Sequence, residues 1–373
     1  SKGQVWYVNP ADGKKYFIAE QLDKSKVRGL HAPNRKDNLL NGRAFVKEYG
    51  PDLVQNFATG KQIDPAAIDP EIIEVKTGTP EADLFRFATM LWSVPVSQGF
   101  GRRIRFLVKD RQNGKLIGLF ALGDPVFNLS ARDNWIGWSG KDRMKRLVHI
   151  MDAYVAGSVP PYSLLIGGKL ISSLMASKEV VRVYEKKYLG STSVISGKEK
   201  RAKLVLLTTT SALGRSSLYN RLVIPNGPRF IHIGATKGFG HFHLSGEIFN
   251  LMKEYLEQQD HPYASAHGFG SGPNWRFRVV RAALEDVGLN GDGVLKHGIG
   301  REVYAVPLAT NWKEILLGDQ TRAKMSVLSA AEIAKYCLDR WIIPRSDRKK
   351  RFKKFARNSI MHCLLNGGPP EAW

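Results

Sequence analysis

The sequence predicts an α/β fold built around a mixed central sheet. Two β-rich runs at 103–110 and 114–123 are separated by Arg111-Gln112-Asn113, which is typical of a β-hairpin. Farther along, the apolar runs 147–157, 202–212 and 229–235 alternate with segments of helical character. Strands that alternate with helices favour parallel neighbours. The predicted sheet therefore combines an antiparallel hairpin with parallel strands.

The first part of the chain reads as an appendage to this sheet. Two β-rich runs flank the turn sequence Asn9-Pro10-Ala11-Asp12-Gly13, which predicts a hairpin. Residues 31–80 are polar and broken, with some helix around 43–57. At Thr79 the pattern changes, because a plausible N-cap and acidic residues precede an apolar helix. We therefore place the N-terminal appendage at 1–78 and the core at 79–312.

Within the core, each later element has its own signal. The run 135–139, WIGWS, is apolar enough to continue the hairpin as a further strand. Gly167-Gly168 forms a tight turn between the strand 147–157 and a helical stripe from 170 to 184. Helices are expected at 245–260 and 273–289, and a late strand at 301–308. These elements complete the predicted core.

The C-terminal extension, 313–373, is expected to be helical and basic. Its most basic part, SDRKKRFKKFARN at 346–358, places Lys and Arg around two phenylalanines three residues apart. Such a run suits a phosphate backbone, and a solvated helix face is the alternative. The candidate nucleic-acid-binding residues here are Lys349, Lys350, Arg351, Lys353 and Lys354.

The charge of the whole chain points the same way. Fifty-six Lys and Arg stand against 34 Asp and Glu, for a net charge of +22, and the pI is about 9.9. A protein this basic usually meets a polyanion, and a generally basic surface is the alternative. Two cysteines exclude a disulfide scaffold. With no apolar run of about 18 residues and no signal-peptide pattern, we expect a cytoplasmic protein without membrane contact.

The order of elements over about 100–245 resembles the GNAT-like acyltransferase fold. In that fold the fourth strand leads to a loop that grips the pyrophosphate of coenzyme A, and a tyrosine follows the fifth strand. The resemblance assigns an acetyl-CoA-like cofactor to Gly167, Gly168 and Lys169, and a catalytic role to Tyr219. The loop departs from the family pattern, which begins with Gln or Arg, because Leu164 stands there.

Two further groups of residues are candidates for catalysis. His241 and His243 are two residues apart, which on a strand puts both imidazoles on one face for acid–base work or metal binding. Structural histidines are the alternative. Asp124 and Asp133 lie in a segment rich in polar and aromatic residues, as at the rim of a pocket. With Asp152 they could hold Mg²⁺ in a nuclease, whereas turn chemistry explains them equally well.

Additional nucleic-acid contacts are expected outside the tail. Arg132 belongs to the same polar and aromatic segment, and Arg215 follows a hydroxyl-rich strand end that suits phosphate. After a glycine-rich stretch, Trp275, Arg276 and Arg278 combine an aromatic ring with guanidinium groups, which suits base stacking. The alternative is that Trp275 packs at the start of a helix.

Several strings together resemble one known family. They are WSVPVSQGFGRRIRFLVKD, GLFALGDPVFNLSARDNWIGW, MDAYVAGSVPPYSLLIGGKL, LLTTTSALGRSSLYNRL, GHFH and GPNWRFR. In this order, from about 80 to 310, they resemble the DruA family of the bacterial Druantia anti-phage defence system. The resemblance implies a role in phage defence and partners from that system, and it transfers no catalytic residue.

Two functions therefore remain open. The first is a DNA-binding component that works with a helicase-type partner motor, since no Walker A pattern surrounds Gly168-Lys169. The second is a GNAT-like enzyme that modifies nucleic acid or protein with an acyl-type cofactor.

Overall fold

A computed structural model describes most of the chain. The described residues are 6–8, 15–17, 24–94, 96, 101–192, 199–200, 202–214, 216–241, 243–244, 246–265 and 273–368. Two strands near the N-terminus, β1 (Trp6–Val8) and β2 (Lys15–Phe17), pair antiparallel. The predicted N-terminal hairpin is confirmed. A second short antiparallel pair joins β7 (Ser191–Thr192) to β8 (Glu199–Lys200).

A mixed sheet of seven strands forms the centre of the molecule. The strands are β3 (Pro70–Val75), β4 (Arg103–Asp110), β5 (Lys115–Gly123), β6 (Ile150–Ser158), β9 (Leu206–Thr210), β10 (Ile231–Ala235) and β11 (Glu302–Pro307). Their order across the sheet is β10-β11-β9-β6-β5-β4-β3. The predicted α/β class, the mixed sheet and the β4–β5 hairpin are confirmed.

The parallel part of the sheet is smaller than the sequence predicts. Among the described strands, only β6 and β9 pair in parallel, from Ile150 opposite Leu206 to Ala153 opposite Thr209. Beyond Ala153, β6 continues along β5 while β9 ends at Thr210. The prediction that 229–235 adds a third parallel neighbour is wrong, because β11 inserts between β9 and β10 and pairs antiparallel with both.

Helices cover both faces of the sheet. They are α1 (Lys24–Asn41), α2 (Arg43–Leu53), α3 (Pro80–Thr89), α4 (Ser130–Ile136), α5 (Gly140–Arg146), α6 (Gly167–Leu174), α7 (Lys178–Tyr188), α8 (Gly246–Gln258), α9 (Pro273–Asp286), α10 (Gly291–Leu295), α11 (Trp312–Leu317), α12 (Ala330–Cys337), α13 (Ile343–Arg348) and α14 (Asn358–Asn366). Helices α6, α7 and α12 pack on one face, and α2, α3 and α14 pack on the other. Between β10 and β11, α8 to α10 share a separate core.

Two local predictions are wrong for identifiable reasons. The expected strand at 135–139 overlaps α4, which ends at Gly137 with φ of 92° and buries Ile136 against the sheet. The stripe from 170 to 184 is two helices, because the backbone of Ser177 is extended and α7 starts afresh at Lys178. Apolar spacing alone does not reveal either break.

The C-terminal extension is helical only in parts. Its basic run leaves α13 at Lys349, whose backbone is extended, and continues as a 3-10 turn over Lys350–Lys354. A single helix over 346–358 is therefore not present. None of the helices in the described part of the chain has both the length and the apolarity to cross a bilayer.

Candidate nucleic-acid interface

The basic run is fixed to the body of the protein by two phenylalanines. Phe352 is buried in the core on one face of the sheet, and Phe355 is buried in the core on the other face. Between and before these anchors the charged side chains are exposed: Arg348, Lys349, Lys350, Arg351, Lys353 and Lys354. Burial of two aromatic rings holds the backbone in place while the cations face solvent. The run is thus a preformed positive surface.

Close backbone contact with Gly60 completes the anchoring. The Gly60 amide donates to the carbonyl oxygen of Phe355 at 3.0 Å. A Cβ at this position would lie 1.9 Å from the carbonyl oxygen of Phe352, so only glycine permits the approach. One carboxylate, that of Asp347, accompanies the run, and its oxygen lies 3.8 Å from Nζ of Lys350. Both groups are exposed, so this pair neutralises little of the charge.

A second group of cations surrounds the start of α6. Nζ of Lys169 lies 4.5 Å from the ring centroid of Trp341. Burial lowers the pKa of Lys169, and the charges of Arg340 and Arg221 lower it further. Like charges this close are unfavourable unless an anion joins them. The positive end of a helix adds to the attraction for such an anion.

Contacts link these two groups into one surface. The Arg345 side chain donates from Nε to the carbonyl oxygen of Leu164, in the 3-10 turn Tyr162–Leu165 just before α6. That turn also contacts α13 and the turn of the basic run. We call the combined set the carboxyl-end surface, because it lies beyond the carboxyl end of β6. Its members are Lys169, Arg221, Arg340, Arg345, Arg348, Lys349, Lys350, Arg351, Lys353 and Lys354.

The double glycine at the head of α6 is explained first by packing. A Cβ on Gly167 would lie 2.7 Å from the carbonyl oxygen of Tyr162. The preceding Ile166 has φ of 61°, in the left-handed region, and its carbonyl accepts the amide of Lys169. A Cβ on Gly168 would make ordinary contact with Leu218 at 3.7 Å. The sharp turn therefore needs Gly167, while Gly168 is less constrained.

Tyr219 lines a cleft where β6 and β9 separate. The cleft, of about 350 Å³, is lined by residues 153–156 of β6, by 209–213 and 216–219, and by Trp92. The Tyr219 ring is itself buried and stacks on Phe230 at 5.2 Å. Burial raises its pKa. Tyr219 is thus a neutral aromatic wall of the cleft.

The two histidines do not share a strand face. The Leu244 amide donates to the carbonyl oxygen of His241, so this segment is a turn, and the strand expected there is wrong. Burial lowers the pKa of His241 to about 4, and Arg276 and His243 lower it further. His243 lies 5.7 Å from His297, ring to ring, and burial lowers its pKa as well. Both imidazoles are neutral at pH 7.

Asp124, Arg132 and Asp133 are tied into the loop after β5. Asp124 accepts hydrogen bonds from the backbone and side chain of Arg102. Arg132 is fully buried, and its guanidinium donates to Asp133 and to the carbonyl oxygens of Val126 and Phe127. The guanidinium of Arg132 therefore faces its own loop and not solvent.

Asp152 does not form a cluster with Asp124 and Asp133. Its carboxylate accepts from the Thr208 hydroxyl at 2.7 Å, and burial raises its pKa to about 6. Across the described residues, no three His, Cys, Asp or Glu side chains gather as a metal site would require. The carboxylate cluster that the nuclease hypothesis requires is therefore not formed by Asp124, Asp133 and Asp152.

The α9 candidates differ in exposure. Trp275 is buried in the core of α8 to α10 and donates from Nε1 to the carbonyl oxygen of Tyr263. The guanidinium of Arg276 lies 4.2 Å from the ring centroid of Phe249, partly buried. Arg278 is exposed. Of the three, Arg278 presents the most accessible charge, and Trp275 serves packing. Arg215 lies outside the described residues.

Sequence reasoning missed Arg221, Arg340 and Arg345. Arg221 and Arg340 are single cations among ordinary residues, and Arg345 stands just before the basic run, so no local pattern assigns the three to one surface. Only the fold brings them to Lys169 and to the basic run. A high density of Lys and Arg in the C-terminal 60 residues was the one available signal.

Comparison with known proteins identifies the family. The family model described as "Druantia protein DruA" matches residues 21–318. The chain belongs to the DruA family. The Druantia protein DruA of Escherichia coli (strain UMEA 4076-1) is 45% identical over 344 residues, which cover 92% of this chain and 85% of that protein. No solved structure matches the chain.

The DruA match confirms the resemblance noted from the six strings and extends it toward the N-terminus. It contains the whole seven-stranded sheet, together with Lys169 and Arg221. It ends at residue 318, before Arg340, Arg345 and the basic run. The carboxyl-end surface thus combines residues inside the DruA family match with residues that follow it.

Proposed function

We propose that this chain acts in the Druantia defence against phage by binding DNA through the carboxyl-end surface. Membership of the DruA family supports the defence role. The observation that carries DNA binding is the run at 348–354, whose cations face solvent while Phe352 and Phe355 fix its backbone. A surface ordered before binding loses little conformational entropy when it meets phosphates.

The charge also defines what kind of binding to expect. Lys and Arg that neutralise phosphates release condensed counterions, so the affinity falls steeply with salt. Contacts of this kind follow the backbone and read no bases. We therefore propose binding to duplex DNA without strong sequence preference, with cytoplasmic partners from the same defence system. Because the chain lacks a Walker A pattern, any helicase-type motor would be one of those partners.

A variant with a matched control tests the proposal. In the run variant, Lys349, Lys350, Arg351, Lys353 and Lys354 are all replaced by Gln. In the control, five exposed lysines outside the carboxyl-end surface are replaced by Gln: Lys141, Lys145, Lys296, Lys313 and Lys324. Both variants lose the same net charge, and only the first loses cations of the carboxyl-end surface, five of its ten.

Fluorescence anisotropy with a labelled duplex then separates the two. We expect the run variant to bind at least about 100-fold more weakly at 0.1 M salt, because each phosphate contact contributes close to a tenfold effect there. The control should retain most of the affinity. Equal losses in both variants would mean that net charge, and not this surface, drives binding.

A GNAT-like transferase is the second candidate, and strand order favours it. The antiparallel strands β3 to β6, the parallel step to β9 and the insertion of β11 before β10 support the comparison with that fold. In such a transferase the cleft between β6 and β9, next to the turn that leads into α6, would hold the acyl cofactor. Acetyl-CoA at 100 times its Kd should then raise the free energy of unfolding by about 2.7 kcal/mol. No change in unfolding at millimolar acetyl-CoA would count against the transferase.

A further inference from the structure

A second cationic concavity lies at the opposite end of the sheet from the carboxyl-end surface. It has a volume of about 1030 Å³ and lies between α1, α3, the end of β3, the start of β4 and the end of α7. We call it the edge cleft and define it by its six cations: Lys76, Arg86, Arg103, Arg105, Lys186 and Lys187. Its size is at the upper end of the range for ligand sites in proteins.

The charge of the edge cleft is one-sided. Among the described residues that line it, Glu74 is the one carboxylate, and its Oε1 lies 3.8 Å from Nζ of Lys187. Five further cations share the same concave wall. Walls of low dielectric focus the field of such a cluster and raise the local concentration of anions. The cleft therefore favours a ligand with several negative charges.

Arginine side chains surround one accessible aromatic ring on the wall, that of Tyr154. The guanidinium of Arg103 lies 4.1 Å from the ring centroid of Tyr154, and that of Arg105 lies 5.7 Å from the centroid of Phe85, which is buried in the core behind the wall. Unpaired bases stack on aromatic rings and on guanidinium planes, and the backbone phosphates pair with the cations between them. Asn38 and Asn41 add amide groups that can bind base edges.

This combination distinguishes a single strand from other polyanions. A duplex keeps its bases stacked inside the helix, whereas unpaired bases can turn into the cleft. An acidic peptide or a bare polyphosphate would use the cations and leave the Tyr154 ring without a role. We propose that the edge cleft binds single-stranded nucleic acid, separately from the duplex proposed for the carboxyl-end surface.

The test uses the full chain in the run-variant background, so that the five replaced cations of the carboxyl-end surface contribute nothing. The probe is a labelled oligothymidylate about six nucleotides long, within the site sizes of single-strand-binding folds. An abasic oligomer of the same length and charge is the matched probe. A duplex of the same length is the third probe. Because every chain compared here carries the same five replacements in the run, failure of the function proposed above leaves this test intact.

Two sets of variants address charge and stacking. Replacing Lys76, Arg86 and Lys186 by Gln removes three exposed cations, and oligothymidylate binding should weaken at least about tenfold. Tyr154→Leu should bring oligothymidylate affinity down to that of the abasic oligomer, while Tyr154→Phe should retain it. Lys313→Gln, outside the cleft, should change nothing.

Three results would overturn the proposal. Equal affinity of the parent chain for the abasic oligomer and oligothymidylate would mark a site for polyanions in general. Tighter binding of the short duplex would mark the wrong strandedness. Unchanged oligothymidylate affinity in the triple Gln variant would place the binding elsewhere, and this variant alters only exposed side chains, so misfolding would not mask the result.

Discussion

Gly60→Ala tests whether the basic run is held by its backbone contact. The added Cβ would lie 1.9 Å from the carbonyl oxygen of Phe352 and 2.6 Å from the carbonyl carbon of Lys353. Both atoms belong to backbone, so no side chain can swing aside, and the turn over Lys350–Lys354 must move. Overpacking of this kind costs about 1–3 kcal/mol. The hydrogen bond from Gly60 to Phe355 adds about 1 kcal/mol if it breaks.

We therefore expect Gly60→Ala to lower the free energy of unfolding by about 2–4 kcal/mol in a urea titration. Duplex affinity should also fall, by about tenfold, although no charge is removed, because a loosened run must be ordered on binding. The matched control is Gly29→Ala, within α1, where a Cβ would meet nothing within 4 Å. Helix propensity predicts a gain of up to about 1 kcal/mol there.

The contact between Gly60 and the basic run is refuted if Gly60→Ala unfolds at the same urea concentration as the parent chain and binds the duplex equally well. If the free energy of unfolding falls but the affinity for the duplex is unchanged, Gly60 does pack against the run. That result would show that an ordered run is not needed for duplex binding.

Three more predictions concern buried charge. Arg132→Met should lower the free energy of unfolding by about 3–5 kcal/mol in a urea titration, because it leaves Asp133 and two carbonyl groups with fewer hydrogen-bond donors. Unchanged stability would contradict these contacts. Burial raises the pKa of Asp152 to about 6, so the folded protein favours the protonated carboxyl, and the stability of the fold falls as pH rises from about 4 to 6. Asp152→Asn should therefore gain about 3 kcal/mol at pH 8 and nothing at pH 4. Burial lowers the pKa of His31 to about 4 and that of His297 to about 3, so the unfolded chain takes up more protons than the folded chain below pH 6.5. The free energy of unfolding should therefore drop by about 2 kcal/mol per histidine between pH 7 and pH 5. If the parent chain and the variant with both histidines replaced by Gln show the same flat pH profile, the prediction is refuted.

The parts of the fold that local sequence determines were predictable. The β4–β5 hairpin follows from two apolar runs around a polar turn, and the step from β6 to α6 follows from a buried run, glycines and a helical stripe. The edge position of β3 and the insertion of β11 between β9 and β10 depend on pairings between residues far apart in the chain. Periodicity carries no information about such pairings.

In the candidate site, too, the features set by adjacent residues were predictable and those set by distant contacts were not. The basic run was predictable because its charges are adjacent in sequence. Its attachment was not, since Gly60 lies almost 300 residues before Phe352. Nor does sequence distinguish an exposed guanidinium from a buried one: Arg132 is enclosed by its own loop, whereas Arg340 is exposed near Lys169. Burial is decided by the whole fold, so residue type alone assigned these arginines poorly.

The salt dependence of duplex binding tests the central claim most directly. The logarithm of the affinity of the intact chain should fall linearly with the logarithm of salt concentration, with a slope of about −0.9 per phosphate contact. In the run variant, which lacks Lys349, Lys350, Arg351, Lys353 and Lys354, the slope should be shallower by about 3 or more, and in the matched control it should be unchanged. Parallel lines for the intact chain and the run variant would contradict the account, because they would show that these cations meet no phosphate.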